Sequence, residues 1–462
     1  MSQYSWVAGS SADWTTPAAW NLGVAPDDLS AAVTIGAGGS YVVGIAASET
    51  ELAGSLLIDA ASASLSIAGT LDVAGVLTLQ AGVLRLAGVL ENATLALDGG
   101  VLAVNGGTLA GVTVLGTLAP SRFQPIVVEG GISLLAADGS QPGSIDVTGG
   151  LLTLLDSETL DNVAISLAGP YGGLQQATGT LTLGANASLE AAGGTLLTVA
   201  GTTLDLLGQL TIDADPLGFV FVVAADLVNQ GTLSLSGGAT DRVDFTGAVF
   251  SNNGAVVVGD GSSLVIAGSF SDTEAGSVTV GVGATLELDH ATTLAGLSGG
   301  GGIANTGGLL VLGGVVDLGG GTLDGADPLF ADLSVTGTLR RGTLAPDGGA
   351  LALAGATLDG ITVLGTLNVS NGGAGYLVNV IDGLTASGGQ ATLLAAGGEV
   401  TFLDSETVNG FTIRIGNGSP GGIRSSPAGL VESAAGGTLT LGATTALTTL
   451  GSAFITAPNF VN

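Results

Sequence analysis

From Ser64 onward the chain is written in units of six to seven residues: SLSIAG, TLDVAG, VLTLQAG, VLRLAG, then VLENA, TLALDGG and VLAVNGG. Apolar residues alternate within the units, at Leu65/Ile67, Leu71/Val73, Leu77/Leu79, Leu84/Leu86, Leu95/Leu97 and Leu102/Val104. A period of two turns one side of a short strand into a core. Strands of about four residues are followed by Gly, Ala-Gly, Asp-Gly-Gly or Asn-Gly-Gly, turn chemistry that reaches positive φ without a Cβ clash. No window carries a clean 3.6 period, and Gly supplies 82 of 462 residues, so helices are nearly excluded.

Strand and corner units without long connections can build a sandwich, a meander or a solenoid. The first two use strands of about five to six residues and aromatic anchors in the core. Here aromatics are 4% of the chain, while 46% of residues are hydrophobic and mostly small aliphatics. The expected fold is therefore all-β: a single elongated, right-handed parallel β-solenoid (β-helix). Each coil takes about three units, roughly 18–22 residues, with like side chains stacked in ladders. Leu77, Leu84, Leu102 and Leu118 are expected ladder positions. At about 4.8 Å per coil, some 400 residues would give about 20 coils.

A longer duplication overlies the short period. Gly111–Leu118 (GVTVLGTL) recurs as Gly360–Leu367 (GITVLGTL), and Leu155–Thr159 (LDSET) recurs as Leu403–Thr407, at offsets of 249 and 248. GTLTLGA at Gly179–Ala185 returns at Gly437–Ala443, which puts an insertion of about ten residues in the loop Gly416 to Gly429. The expected organisation is a Trp-containing cap over residues 1–50, a first solenoid copy over 51–249 and a second over 250–462. All three Trp (Trp6, Trp14, Trp20) fall in the cap, as expected where an open solenoid end must be covered.

Charge and composition then exclude partners. Seven Arg, no Lys and 38 acidic residues give a net charge of −31, which repels nucleic acid and anionic membrane surfaces. The absence of Cys removes disulfides and thiolate chemistry. No run approaches the roughly 20 apolar residues of a membrane-spanning helix, and membrane insertion is not expected. The opening MSQYSW has no basic and apolar leader, so no cleavable signal peptide is visible.

The opening YSWVAGSSADWTTPAAWNLGVAPDD, followed by AAVTIGAGGSYVV, AGSLLIDAASASLSIAGTL and the TL/G ladder, resembles the beta-strand-repeat and adhesin-like surface proteins of Gram-negative bacteria, including autotransporter passenger rods. The resemblance implies a secreted or cell-surface rod used in adhesion, matrix or surface-layer assembly. It departs from the autotransporter pattern in lacking a C-terminal membrane barrel.

The candidate chemistry lies in three acidic triplets: Ser48-Glu49-Thr50, Asp156-Ser157-Glu158-Thr159 and Asp404-Ser405-Glu406-Thr407. On a strand, residues i and i+2 share a face about 6.5–7 Å apart, the separation of an inverting carboxylate pair. Recurrence of one motif without a flanking base argues instead for corners whose side chains bond local backbone N–H groups. Asp156, Glu158, Asp404 and Glu406 are also the calcium candidates, since hard cations take oxygen ligands. His290 is the single imidazole and is expected at a surface or corner. Arg340-Arg341 is expected to form an ion pair in a segment, Ala326 to Pro346, that breaks the ladder. The four glycines Gly299–Gly302 read as a flexible corner. No catalytic residue, and no cofactor other than calcium, is expected. The predicted role is a structural extracellular or cell-surface protein that binds itself end to end or a surface polysaccharide or host surface. Trp6, Trp14, Trp20, Phe454 and Phe460 are its self-assembly residues. The competing class is a carbohydrate-active β-helix enzyme, a glycoside hydrolase or lyase.

Overall fold

The structure, a computed structural model, describes residues 2–120, 125–169, 172–192, 196–213, 220–236, 242–272, 276–298, 302–369, 377–395, 397–416, 428–433, 436–449 and 453–462. It is nearly all-β, with 63% strand and 3% helix, and its parallel sheets wind as a β-solenoid of about 17 turns. The chain divides into two compact units, Met1–Gly247 and Ala248–Asn462.

In the first unit, Thr70–Val73, Val76–Leu79 and Val83–Leu86 make one coil. Leu71 of that coil lies on Leu90, Leu77 on Leu95 and Leu84 on Leu102. Leu71, Leu90, Leu109 and Val128 thus stack at a step of 19 residues. Leu56, Leu77, Leu95, Val114 and Leu134 stack beside them, and both ladders are buried. In the second unit Val316, Leu339, Leu358, Val380 and Phe402 form an equivalent buried ladder. Each such side chain contributes about 1.5–3 kcal/mol by leaving water, which is what lets a chain so rich in Gly fold at all.

Leu102 departs from the expectation. It is only half-buried: Val101–Val104 ends its five-stranded sheet, and among the described residues no strand pairs with its far side. The segment Ala326 to Pro346 also differs from its reading. Only a short 3-10 turn, Pro328–Phe330, leaves the pattern, and Thr338–Ala345 is an ordinary ladder strand.

Corners follow two solutions. At Gly88 a Cβ would run into the Gly69 carbonyl of the preceding coil, so only Gly fits. Elsewhere a column of residues in the left-handed region turns the chain, Asn92 (φ 59°), Gly111 (φ 61°) and Gly130 (φ 66°) in the first unit; Asn92 separates Val89–Glu91 from Thr94–Leu97, whereas Gly111 and Gly130 each lie within one strand. The second unit repeats it with Arg341 (φ 56°), Gly360 (φ 60°) and Asp382 (φ 53°). Strands therefore run through such corners, as in Thr108–Leu115 and Thr357–Asn368, and exceed the expected four residues.

The first and last coils are built differently. Gln3–Ser5 pairs on one edge with Asp28–Ile35, and residues 19–21 fold back over its other edge. There Val7 donates to the Ala19 carbonyl at 2.8 Å and Asn21 to the Ser5 carbonyl at 3.0 Å. The Asn21 side chain accepts from Ser5 N–H at 2.9 Å and donates to the Gln3 carbonyl at 3.2 Å, imitating a further strand. Beneath it Trp6, Trp14 and Trp20 are at most 2% exposed, Trp20 packing edge-on with its centroid 5.0 Å from each of the other two. The indole N–H groups of Trp20 and Trp14 donate to the Trp14 and Pro26 carbonyls. In the last coil, Ala446–Thr449, Ala453–Thr456 and Asn459–Val461 each pair with one preceding strand, and among the described residues nothing pairs their outer edges.

Candidate functional site

The two Asp-Ser-Glu-Thr motifs fold as the same corner. In the first unit the chain bends at Asp156, whose exposed carboxylate accepts the Gly130 N–H at 3.3 Å. Ser157 Oγ accepts the Thr180 N–H at 3.1 Å. Glu158 turns inward, is 8% exposed, and accepts the Ile132 N–H at 3.4 Å. The side-chain amide of Gln176 donates to the carbonyls of Asp156 and Thr178, tying in the following coil. In the second unit Asp404 accepts the Asp382 N–H at 3.3 Å, Ser405 Oγ the Thr438 N–H at 3.1 Å and Glu406 the Thr407 N–H at 3.1 Å. Gly130 and Asp382 are thus equivalent, although the fixed offset of 249 would have aligned Gly130 with Asn379.

This geometry is the corner with local backbone N–H bonds that the recurrence of the motif argued for, not a carboxylate pair on one strand face. Asp156 sits in a bend and faces solvent while Glu158 begins a strand and faces the core, so the i, i+2 rule for an extended strand does not apply. Burial pushes the Glu158 carboxyl above its ordinary range, the N–H bonds opposing it. Among the described residues, no group of three or more Asp, Glu or His side chains is arranged to hold a metal ion.

The third triplet behaves differently. Glu49 accepts the Ala46 N–H at 2.8 Å, and the inward carboxylate is Glu51, which the triplet reading missed. Glu51 is 6% exposed and pairs in register with Leu71, an interior ladder position. Burial, with Glu49 and Asp27 adding like charge, raises it from 4.5 to about 7. Counting back from Leu71 by the 19-residue step of the coils that follow lands on Leu52, so the regular ladder period does not reveal Glu51.

Two further groups meet their expectations only in part. Arg340 and Arg341 both pair with Asp317, Arg340 at 3.2 Å, and Asp317 also accepts the Gly319 N–H. His290 lies at a corner after Thr285–Leu288 but is only 7% exposed, inside the coil rather than on its surface. It follows Phe250 and Phe270 in a stack with ring centroids 5.4 and 6.0 Å apart, and burial lowers its pKa. Of the Gly299–Gly302 run only Gly302 is described; Arg122, Arg424 and most of the loop Gly416 to Gly429 lie outside the described residues. Trp6, Trp14 and Trp20 point into the first coil, whereas Phe454 is half-buried and Phe460 is 44% exposed.

The first unit carries an open groove of about 660 Å³ on one outer sheet face, lined by Asp146, Ser166, Glu190, Thr211 and Asp213 among others. Asp146, Ser166, Glu190 and Thr211 are successive rungs of one outward ladder. Its lining offers hydroxyls and carboxylates but no base or aromatic ring. It suits hydrogen bonding to a polar chain more than stabilising a developing anion. No protein-family model matches the chain, and no curated protein matches it.

Proposed function

We propose that the chain is a structural protein of the extracellular space or cell surface, adhesin-like or a matrix or filament subunit, and not an enzyme. The observation that carries this reading is the use made of the motif carboxylates. Asp156, Glu158, Asp404 and Glu406 all accept backbone N–H groups at coil corners. Asp156, Glu158 and Asp404, whose donors lie in a neighbouring coil, brace one coil on the next, while Glu406 accepts from its own neighbour Thr407. The resemblance of the Trp-containing opening to beta-strand-repeat surface proteins supports the location. Its partner is a second copy or a surface polysaccharide, with no cofactor required. Calcium at the Asp-Ser-Glu-Thr corners would register as a rise in Tm on adding the ion, lost in Asp156→Asn. Antibody labelling of intact, unpermeabilised cells tests the location: label on intact cells is expected, and label only after permeabilisation overturns it.

A carbohydrate-active reading has one observation in its favour. Asp146 and Glu190 stand two rungs apart in the groove, about 9–10 Å, near the upper end for an inverting pair. New reducing ends or unsaturated sugars released from a polysaccharide panel, and abolished by Asp146→Ala or Glu190→Ala, would replace the structural reading.

A further inference from the structure

We propose that the groove of the first unit binds a β-1,4-linked amino-sugar chain laid across its strands, which deepens the polysaccharide reading above and rests on it. Asp146, Ser166, Glu190 and Thr211 alternate carboxylate and hydroxyl on successive rungs of one outward ladder. Two rungs span about 9–10 Å, close to the length of two linked pyranose rings. Successive rings of an extended β-1,4 chain are turned over, so one face of the chain presents an amino group at every second ring. Such amines would meet a carboxylate at Asp146 and again at Glu190, with Ser166 and Thr211 at the alternate rungs for ring hydroxyls. Both carboxylates are exposed, and Thr148 engages only Oδ1 of Asp146, through its N–H at 3.1 Å and its hydroxyl.

The duplication isolates what the carboxylates add. Thr117, Ser144 and Ala164 succeed one another in register in the first unit, and Thr366, Thr392 and Thr412 do so in the second, at the offsets of 249 and 248 that relate the copies. Thr366, Thr392 and Thr412 also line an open groove, of about 610 Å³. The rungs there that answer to Asp146, Ser166 and Glu190 are Leu394, Arg414 and Thr448. The hollow therefore comes from the coil, whereas the alternating carboxylates belong to the first unit's version of it. Charge and lining select the occupant. No base lines the first groove to hold an acidic glycan, and no aromatic ring offers the anchor on which protein partners rely.

Calorimetric titration of the 462-residue chain with a β-1,4-linked glucosamine hexamer, at a pH where its amines are protonated, is expected to show binding. The fully N-acetylated hexamer should bind at least about 10-fold more weakly, and Asp146→Asn/Glu190→Gln should weaken the glucosamine hexamer by at least about 10-fold. Asn keeps an acceptor for Thr148, so an unchanged Tm separates lost binding from lost folding. Any chain at −31 attracts a polycation. The control is therefore Asp98→Asn/Asp332→Asn, which removes two exposed carboxylates outside the groove and should leave the affinity unchanged. Equal losses in the two double variants, absence of binding, or a lysine hexapeptide that binds as tightly and responds to the groove variant would each overturn the proposal. Binding of the N-acetylated hexamer that ignores the groove variant would overturn the amino-sugar site and leave a polysaccharide partner standing. Release of shorter sugars would count against the non-enzymatic reading, with the site retained.

Discussion

The first coil and the last coil are both built from strands and corners, yet the first has chain folded over its outer edge and the last, among the described residues, does not. At the start, two turns of chain double back so that Trp20 fills the space between Trp6 and Trp14 and the Asn21 amide completes the strand edge. In the last coil Leu447 and Phe460 occupy positions whose counterparts one coil earlier are fully buried, and they stand exposed. Residue type is the same in kind; coverage is what differs. In a solenoid the interior is conferred on a side chain by the coils on either side of it.

The largest test of that comparison is at the closed end. Trp20→Ala removes the ring that contacts both other indoles and should cost about 3–5 kcal/mol by chemical denaturation. A cost near that of a surface substitution would show that the cluster is decoration. Next, Leu84→Ala should cost about 2–5 kcal/mol, and Leu102→Ala, one rung later and only half-buried, under about 1 kcal/mol. Equal costs would break the link between coverage and stability.

Glu51 sharpens the comparison through pH. A carboxyl whose folded pKa is raised binds its proton more tightly in the folded state, so it favours folding fully below the unfolded value. That contribution is lost as pH rises through the folded value. With the shift running from 4.5 to about 7, stability should fall between those limits. Glu51→Gln should recover about 2 kcal/mol at pH 8, allowing for solvent at the corner, and almost nothing at pH 4. A pH-independent difference between the two proteins would refute the burial of that carboxyl. The smallest effect belongs to the last coil: Phe460→Ala, at a side chain 44% exposed, should change stability by less than about 1 kcal/mol.

Much of the fold was legible because a β-coil repeats one decision many times. Alternation at Leu71/Val73 and Leu77/Leu79 is enough to assign an inward face, and Gly spacing is enough to place corners. The candidate site was less legible. Glu158 was singled out but not its inward turn, and Glu51 was passed over, because alternation assigns a face without saying whether the chain bends at that residue. Asp156 and Glu158 ended on opposite sides of a corner for that reason. His290 was likewise read as a surface or corner residue; it lies at a corner, and the column from Phe250 through Phe270 carries it inside.

The sequence by itself determined that the chain is all-β, that its coils take about three short strands, that LDSET occurs twice in matching contexts and that Trp gathers at one end. These are local properties, written in periods of two residues and of one coil. Only the tertiary structure decided which ladder residues are covered, that Asp382 and not Asn379 stands where Gly130 does, and that Asn21 closes the edge of the first coil while Leu447 and Phe460 of the last coil are exposed. The physical reason is that coverage and register depend on the neighbouring coil, about 19 residues away in the first unit, and small changes in loop length shift that neighbour without altering the local pattern.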